Sequence, residues 1–154
     1  MSKYVLAFLI GTATGLRSMT APAALSFAVR RGKPRLKHGP LAIFASRATP
    51  YVLTALAAGE LVNDKLAWTP SRRSPLSFAL RVALGSACGA AIGTPKSIAG
   101  GMAAGALGAV AGTLGGYKLR TGLARAAGGR DLPIALSEDA LAVGGSLSIV
   151  SQLA

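Results

Sequence analysis

The chain has 154 residues, of which 51% are hydrophobic and only 14% are charged, and its formal net charge is +12. A soluble domain of this length carries about 25% charged residues, so the composition argues against a soluble globular protein. Apolar runs of about 20 residues recur along the whole chain, which indicates an all-α, polytopic membrane protein forming one domain over residues 1–154. The basic residues fall mostly between apolar runs and lack interleaved aromatic residues, so they point to anionic lipid head groups and not to nucleic acid.

The single cysteine and the single histidine exclude several classes of site. One cysteine cannot form an intrachain disulfide, and no Cys/His cluster has the spacing of metal ligands. Walker, Rossmann and Ser/His/Asp signatures are also missing. We therefore predict no catalytic residues, no metal site and no cofactor, although paired carboxylates could still hold Mg²⁺ with a lipid phosphate.

The first apolar segment covers residues 4–29 and contains Arg17 near its middle, with Pro22 five residues later. A charge at the bilayer midplane costs about 3 kcal/mol or more on insertion scales, so Arg17 should face a partner or a water-filled cavity. Ser18 and Thr20 add hydroxyl groups between Arg17 and Pro22. The pattern predicts a broken first helix whose freed backbone groups line a polar cavity. The alternative is two shorter pieces with Arg17 at the membrane interface.

Four further apolar segments follow, separated by polar or basic connections. Each should be helical, because hydrocarbon offers no partner to unpaired backbone groups. The third segment is short for a span, but a bilayer can adapt to it. The sequence therefore predicts four or five transmembrane helices, the later ones covering residues 41–62, 76–92, 98–116 and 132–153.

Glycines recur at spacings of three and four residues in two of these segments. That spacing puts them on one helix face, where missing side chains let two backbones approach closely. We predict Gly-rich packing helices with a glycine-zipper face and consider a pore-lining or sliding surface as the alternative. These glycines are Gly85, Gly89 and Gly93, and then Gly101, Gly105, Gly108, Gly112 and Gly115.

Basic residues are divided almost evenly between the two sides that five spans would create. The side of the N-terminus receives 8 and the other side 6, so the positive-inside rule cannot choose an orientation. Insertion in both orientations would explain the balance, and so would an inverted repeat. "GTATGLR" (11–17) resembles "GTLGGYKLR" (112–120), which suggests repeat halves 4–64 and 98–153 unless the likeness is due to chance.

Only five residues are acidic, and four of them lie in or beside apolar segments. Glu60, Asn63 and Asp64 follow the i, i+3, i+4 spacing of one helix face. Glu138 and Asp139 lie about two turns into the last segment. We predict that one of these two pairs with Arg17, since no other acids lie well inside an apolar run.

The acidic residues admit two interpretations. They form structural ion pairs with arginines such as Arg47, Arg72 or Arg81, or they belong to an ion, proton or anion site, since membrane proteins use the same residues for both. The candidate binding residues are Arg17, Ser18, Thr20, Glu60, Asn63, Asp64, Arg72, Glu138 and Asp139.

Several blocks of the sequence resemble a family of small bacterial membrane proteins classed only as a domain of unknown function. The blocks are "GLRSMTAPAALSFA", "GELVNDKL", "TPSRRSP", "GAAIG" and "LPIALSEDALAVGG", and together they extend over nearly the whole chain. The resemblance implies that the first segment is retained, not cleaved as a signal peptide, and that the protein lies in the bacterial inner membrane. It implies no catalytic role.

The function expected from these features is transport of a small solute or ion through a charged site near the bilayer midplane. The alternatives are an accessory subunit that packs against a larger complex, and a protein that binds or processes lipid head groups. We expect membrane lipids as partners and a homo-oligomer, because one thin chain encloses little cavity. The transported solute or ion is not apparent from the sequence.

Overall fold

All regular structure that the computed structural model describes is helical, over residues 1–32, 40–63, 75–93, 97–126 and 132–153. This agrees with the all-α class expected from the composition. The helices are α1 (Lys3–Leu16), α2 (Thr20–Arg30), a short 3-10 helix (Pro40–Ala45), α3 (Thr49–Asn63), α4 (Pro75–Ile92), α5 (Ile98–Ala126) and α6 (Leu132–Ser151).

Among the described residues, three helices are long and apolar enough to cross a membrane: α4, α5 and the part of α6 from Pro133 to Ser151. The apolar helices α1 and α3 are shorter, with 14 and 15 residues, and α2 has 11. By length and composition, these three helices are compatible with a membrane protein. The expected total of four or five spans stays a prediction.

Two apolar segments are interrupted. The first, for which a broken helix or two shorter pieces are expected, is divided into α1 and α2, with residues 17–19 between them. The second is a 3-10 helix followed by α3, so its expected continuous course over residues 41–62 is wrong. Pro50 explains the later start of α3, because a proline is accommodated in a first helical turn and not in a helix interior.

Helices α1, α4 and α5 pack together through close backbone contacts at glycines. A Cβ atom added to Gly89 would lie 2.9 Å from the Cα atom of Gly105, and one added to Gly108 would lie 2.9 Å from the carbonyl carbon of Phe8. Real Cβ atoms do not approach other atoms so closely, so both positions require glycine. In contrast, a Cβ atom at Gly115 would meet open space, so this glycine does not share the packing role expected of it.

Helix α2 packs against α3 and α6 and is buried along most of its length. Its end lies near the start of α3, where the Phe27 and Tyr51 rings meet edge to face at 6.0 Å and the Arg30 guanidinium lies 5.6 Å from the centre of the Tyr51 ring. Its start lies near the end of α3, at Glu60. Helices α2 and α3 are therefore antiparallel.

Helix α5 continues ten residues beyond its expected end at Gly116. It passes without interruption through Arg120, the position that the repeat similarity equates with Arg17. Helix α1, in contrast, ends at Leu16. The two related stretches thus differ in local structure, and the inverted repeat stays a prediction.

Candidate functional site

The junction between α1 and α2 consists of Arg17, Ser18 and Met19. The Arg17 amide donates to the Ala13 carbonyl at 2.9 Å, as in a continuing helix. The next two amides donate elsewhere: Ser18 N to Glu60 Oε1 at 2.9 Å and Met19 N to Glu60 Oε2 at 3.0 Å. One carboxylate of α3 thus accepts two amides that have no acceptor at the start of α2.

Pro22 explains why the chain breaks at this point. Its ring would clash with the carbonyl four residues earlier in a continuous helix, at a cost of about 3 kcal/mol or more. A helix that begins at Thr20 places Pro22 in its first turn, where the missing N–H has no acceptor in any case. Local sequence thus disfavours one long helix, and Glu60 supplies the acceptor that the break requires.

Arg81 of α4 occupies the other side of the junction. Its Nη1 atom donates to the Gly15 carbonyl at 2.6 Å and to the Leu16 carbonyl at 3.1 Å. The hydroxyl of Thr113 on α5 shares its proton between the Ala109 carbonyl, at 2.8 Å, and the Gly15 carbonyl, at 3.2 Å. These donors satisfy the last carbonyl groups of α1, which a helix end otherwise leaves unpaired.

Charges at the junction match the ends of the two helices. The Arg81 guanidinium lies at the C-terminal end of α1, where the helix dipole is negative, and the Glu60 carboxylate lies at the N-terminal end of α2, where it is positive. The two side chains also face each other, with 3.6 Å between Arg81 Nη2 and Glu60 Oε1. Charge matching and hydrogen bonding thus stabilise the same break.

Arg17 is 1% exposed and forms a hydrogen-bonded ion pair with Asp139 of α6. Of the two acids expected to pair with Arg17, the structure joins Asp139 to it. The neighbouring acid, Glu138, faces α5, with 3.7 Å between its Oε2 atom and Arg120 Nη1. Adjacent acids of one helix therefore bind arginines of two different helices.

The junction lies at the level of Gly116 on α5. A Cβ atom at Gly116 would be 2.6 Å from Leu16 Cδ2 and 3.5 Å from Glu138 Oε1. Gly116 is where the apolar run of α5 ends, just before Tyr117 and Lys118. The charged cluster is thus displaced from the middle of α5 toward the end that carries the basic residues.

The structure brings together only part of the predicted site. Arg17, Glu138 and Asp139 are buried and Glu60 is half-buried; all four lie around the junction, while Ser18 contributes its backbone amide. Thr20 is buried as the first residue of α2. Asn63 ends α3, and its side chain is outside the described part of the chain, as are Asp64 and Arg72.

Two arginines at the junction were not among the predicted binding residues. Arg81 was considered only as a structural partner, although it lies inside an apolar segment, the same signal that pointed to Arg17. Arg120 was assigned to a basic connection, because the extension of α5 was not anticipated. In both cases the sequence offered a signal: Arg81 lies inside an apolar segment, and Arg120 lies about one helical turn beyond the end of another.

Among the described residues, the cluster combines three guanidinium groups with three carboxylates, so the formal charges of these six side chains balance. No group of three or more His, Cys, Asp or Glu residues able to hold a metal ion occurs in the described ranges. Cys88, the only cysteine of the chain, is buried within α4. The contacts among the six charged side chains are ion pairs.

Comparisons with protein-family models, with curated proteins and with solved structures gave no match to this chain.

Proposed function

We propose that the protein is a small membrane transporter or channel-like protein whose polar site is the junction between α1 and α2. The lengths of the two helices agree with this proposal. At 1.5 Å per residue, α1 and α2 are about 21 Å and about 17 Å long, and neither crosses a hydrocarbon core of about 30 Å. If both lie in the bilayer, their junction lies inside it.

One observation carries this proposal: the freed backbone groups of the junction are satisfied by two charged side chains, Glu60 and Arg81. Irregular backbone is tolerated at membrane depth only where protein or a water-filled cavity covers it. Interrupted helices of this kind form the substrate and ion sites of many transporters. In this proposal α1 and α2 are the two parts of a broken helix.

Arg17 and Glu60 have different roles in the proposed site. Arg17 binds either an anionic group or its counter-ion Asp139, and Glu60 orders the start of α2. Buried ionisable residues are costly in a membrane and commonly mark ion or substrate pathways. The finer features belong to the same proposal: four or five spans, a bacterial inner membrane, an inverted repeat and a homo-oligomer.

Flux into liposomes that contain only this protein tests the proposal. The purified chain is reconstituted, and the permeation of protons, K⁺, chloride and inorganic phosphate is measured against protein-free liposomes. We expect at least one of these to pass, and replacement of Arg17 and Asp139 together to abolish its passage. No flux of any kind, for a folded and inserted protein, would contradict transport.

A second function, that of an accessory subunit, is favoured by the charge balance of the cluster. Three arginines facing three acids can be purely structural, and large apolar side chains such as Leu107 and Leu141 are 65% exposed and could meet lipid or a partner. Gentle purification from the native membrane separates the two functions. A partner protein recovered at fixed stoichiometry, together with absent flux, would favour the accessory role.

A further inference from the structure

Helix α1 runs parallel to α5. Gly100, near the start of α5, lies against the Tyr4 ring near the start of α1, whereas Gly116 lies against Leu16, the last residue of α1. The junction therefore lies at the level of Gly116, and α5 continues beyond that level to Ala126. A helix that prolonged the line of α1 would pack along this extension of α5.

Helix α2 does not follow that course. It packs against α1, α3, α4, α6 and the 3-10 helix, and not along α5. Leu119 and Leu123, on the extension of α5, are 60% and 45% exposed. The chain therefore leaves the line of α1 at residues 17–19.

Helix α4 identifies the end of the molecule to which α2 leads. It is antiparallel to α5, since Gly89 near its end faces Gly101, so its end lies on the same side as the start of α1. Residues 88–92, at the end of α4, are all buried, whereas Leu76 and Leu80 near its start are 73% and 48% exposed. Besides α1 and α5, helix α4 packs against α2 and the 3-10 helix, which therefore cover its end and not its start.

The apolar core leads to the same conclusion. Val29, near the end of α2, and Phe44, in the 3-10 helix, belong to one buried cluster with Leu6 of α1 and Ile92 of α4. All α4 residues of this cluster lie among the last five of the helix. The end of α2 therefore lies on the side of the bundle that holds the start of α1, the end of α4 and the start of α5, which we name the entry end.

We propose that α1 and α2 form a re-entrant hairpin, in which α1 enters the bilayer at the entry end, the chain turns at residues 17–19, and α2 returns to the same membrane face. Helix α6 packs against both arms of the hairpin, and the ion pair Arg17–Asp139 holds α6 to its tip. The hairpin does not cross the bilayer, so the spans are α3, α4, α5 and α6.

The hairpin determines from which side the charged junction is reached. Toward the entry end lie Leu6, Ile10 and Val29, which are at most 6% exposed and belong to the apolar cluster. At the tip, the side chains of Glu60 and Arg120 are 17% and 18% exposed. Water and ions therefore reach the junction from the face opposite the entry end. This access route rests on the proposed function and deepens it, whereas the hairpin itself does not depend on transport.

Single cysteines in sealed vesicles test the hairpin. The background is Cys88→Ala, with its orientation fixed by lysines added to one connection. Ser2→Cys, Ser46→Cys and Gly122→Cys then introduce thiols at exposed positions without a change of net charge. An impermeant maleimide should label Ser2→Cys and Ser46→Cys from one side and Gly122→Cys from the other. Labelling of Ser2→Cys and Ser46→Cys from opposite sides would mean that the first segment crosses the bilayer, and would overturn the hairpin.

The distance between two spin labels gives a readout that does not depend on orientation in the membrane. Arranged in line, α1 and α2 would extend for about 38 Å, so labels at Ser2→Cys and Arg31→Cys would lie at least that far apart. The hairpin predicts a separation below about 25 Å, which is two helix diameters. A longer separation, measured by double electron resonance on the full chain in detergent, would overturn it.

The access route has a measurement of its own. Ser18→Cys, in the same Cys88→Ala background, introduces a thiol at the partly exposed tip. An anionic methanethiosulfonate should modify it from the side that labels Gly122→Cys and not from the side that labels Ser2→Cys. Modification from the Ser2 side, or from neither side, would overturn the access route. Absent flux together with the labelling pattern of a hairpin would remove the proposed function and leave the hairpin standing.

Discussion

At the scale of single residues, Arg17 is the most deeply buried charged residue that the structure describes. It directly follows α1, and its partner Asp139 comes from α6. Removing one member of a buried ion pair strands the charge of the other and costs about 3 to 5 kcal/mol. This ion pair therefore joins a residue near the start of the sequence to one near its end.

The first prediction concerns this pair. Arg17→Ala should lower the free energy of unfolding in detergent by about 3 kcal/mol or more, while Arg31→Ala, at an exposed position after α2, should change it little. Adding Asp139→Asn to Arg17→Ala should recover part of the loss, because the stranded carboxylate disappears. A double-mutant cycle measures the interaction free energy of the two side chains, which is about 0.5 to 3 kcal/mol for residues in contact. Strict additivity would mean that Arg17 and Asp139 are not partners in the membrane protein.

A second residue-scale prediction concerns Glu60. Glu60→Ala leaves the Ser18 and Met19 amides without their acceptor, and a buried donor without a partner costs about 1 to 3 kcal/mol. Glu60→Gln keeps one acceptor oxygen and should fall between Ala and the parent. Unfolding temperatures and amide exchange of residues 18–19 should follow this order. Equal exchange in all three proteins would show that Glu60 does not hold the start of α2.

At the scale of helices, the glycines of α5 show which contacts need a missing side chain. Gly105 and Gly108 face backbone atoms of α4 and α1, whereas Gly115 and Gly122 face open space. The same helix therefore contains both the sensitive positions and their controls. The sequence spacing of the glycines could not distinguish Gly115 from the packed glycines, because spacing does not show which part of a helix face contacts a neighbouring helix.

The third prediction uses these positions. Gly105→Ala and Gly108→Ala should lower the unfolding temperature in detergent, and Leu at either site should lower it further, because the added atoms force backbones apart. Gly115→Ala and Gly122→Ala should be neutral or stabilising, since alanine favours a helix by about 1 kcal/mol over glycine. Unchanged stability of Gly105→Ala would mean that α4 and α5 do not meet at this face.

Sequence reasoning reached the pairing of Arg17 because so few acids lie inside apolar runs. It missed the role of Glu60, because nothing in the sequence indicates that a carboxylate of α3 will meet backbone amides 42 residues away. The sequence analysis ended the fourth segment at Gly116, because hydropathy falls after that residue. In the structure, helix α5 continues to Ala126. Local pattern thus indicated helices and charges, while the contacts between helices had to come from the structure.

At the scale of the whole molecule, the predicted five-span arrangement differs only slightly in basic charge between its two sides. The two predicted sides carry 8 and 6 basic residues, so a few added charges should decide the orientation. The fourth prediction is that about three lysines added to one connection move a C-terminal reporter to the other side of the membrane. A reporter that never changes side would contradict the hypothesis of insertion in both orientations. It would not contradict the inverted repeat.

The central claim is that the charged junction, and not merely a folded helical bundle, carries transport. The most direct test compares two variants of equal stability in liposomes: Glu60→Gln, which alters the junction, and whichever of Gly101→Ala or Gly105→Ala has the same unfolding temperature. Flux is normalised to the amount of inserted protein. Our account predicts that Glu60→Gln loses the flux while the glycine variant retains it. Equal flux in the two variants would contradict the account.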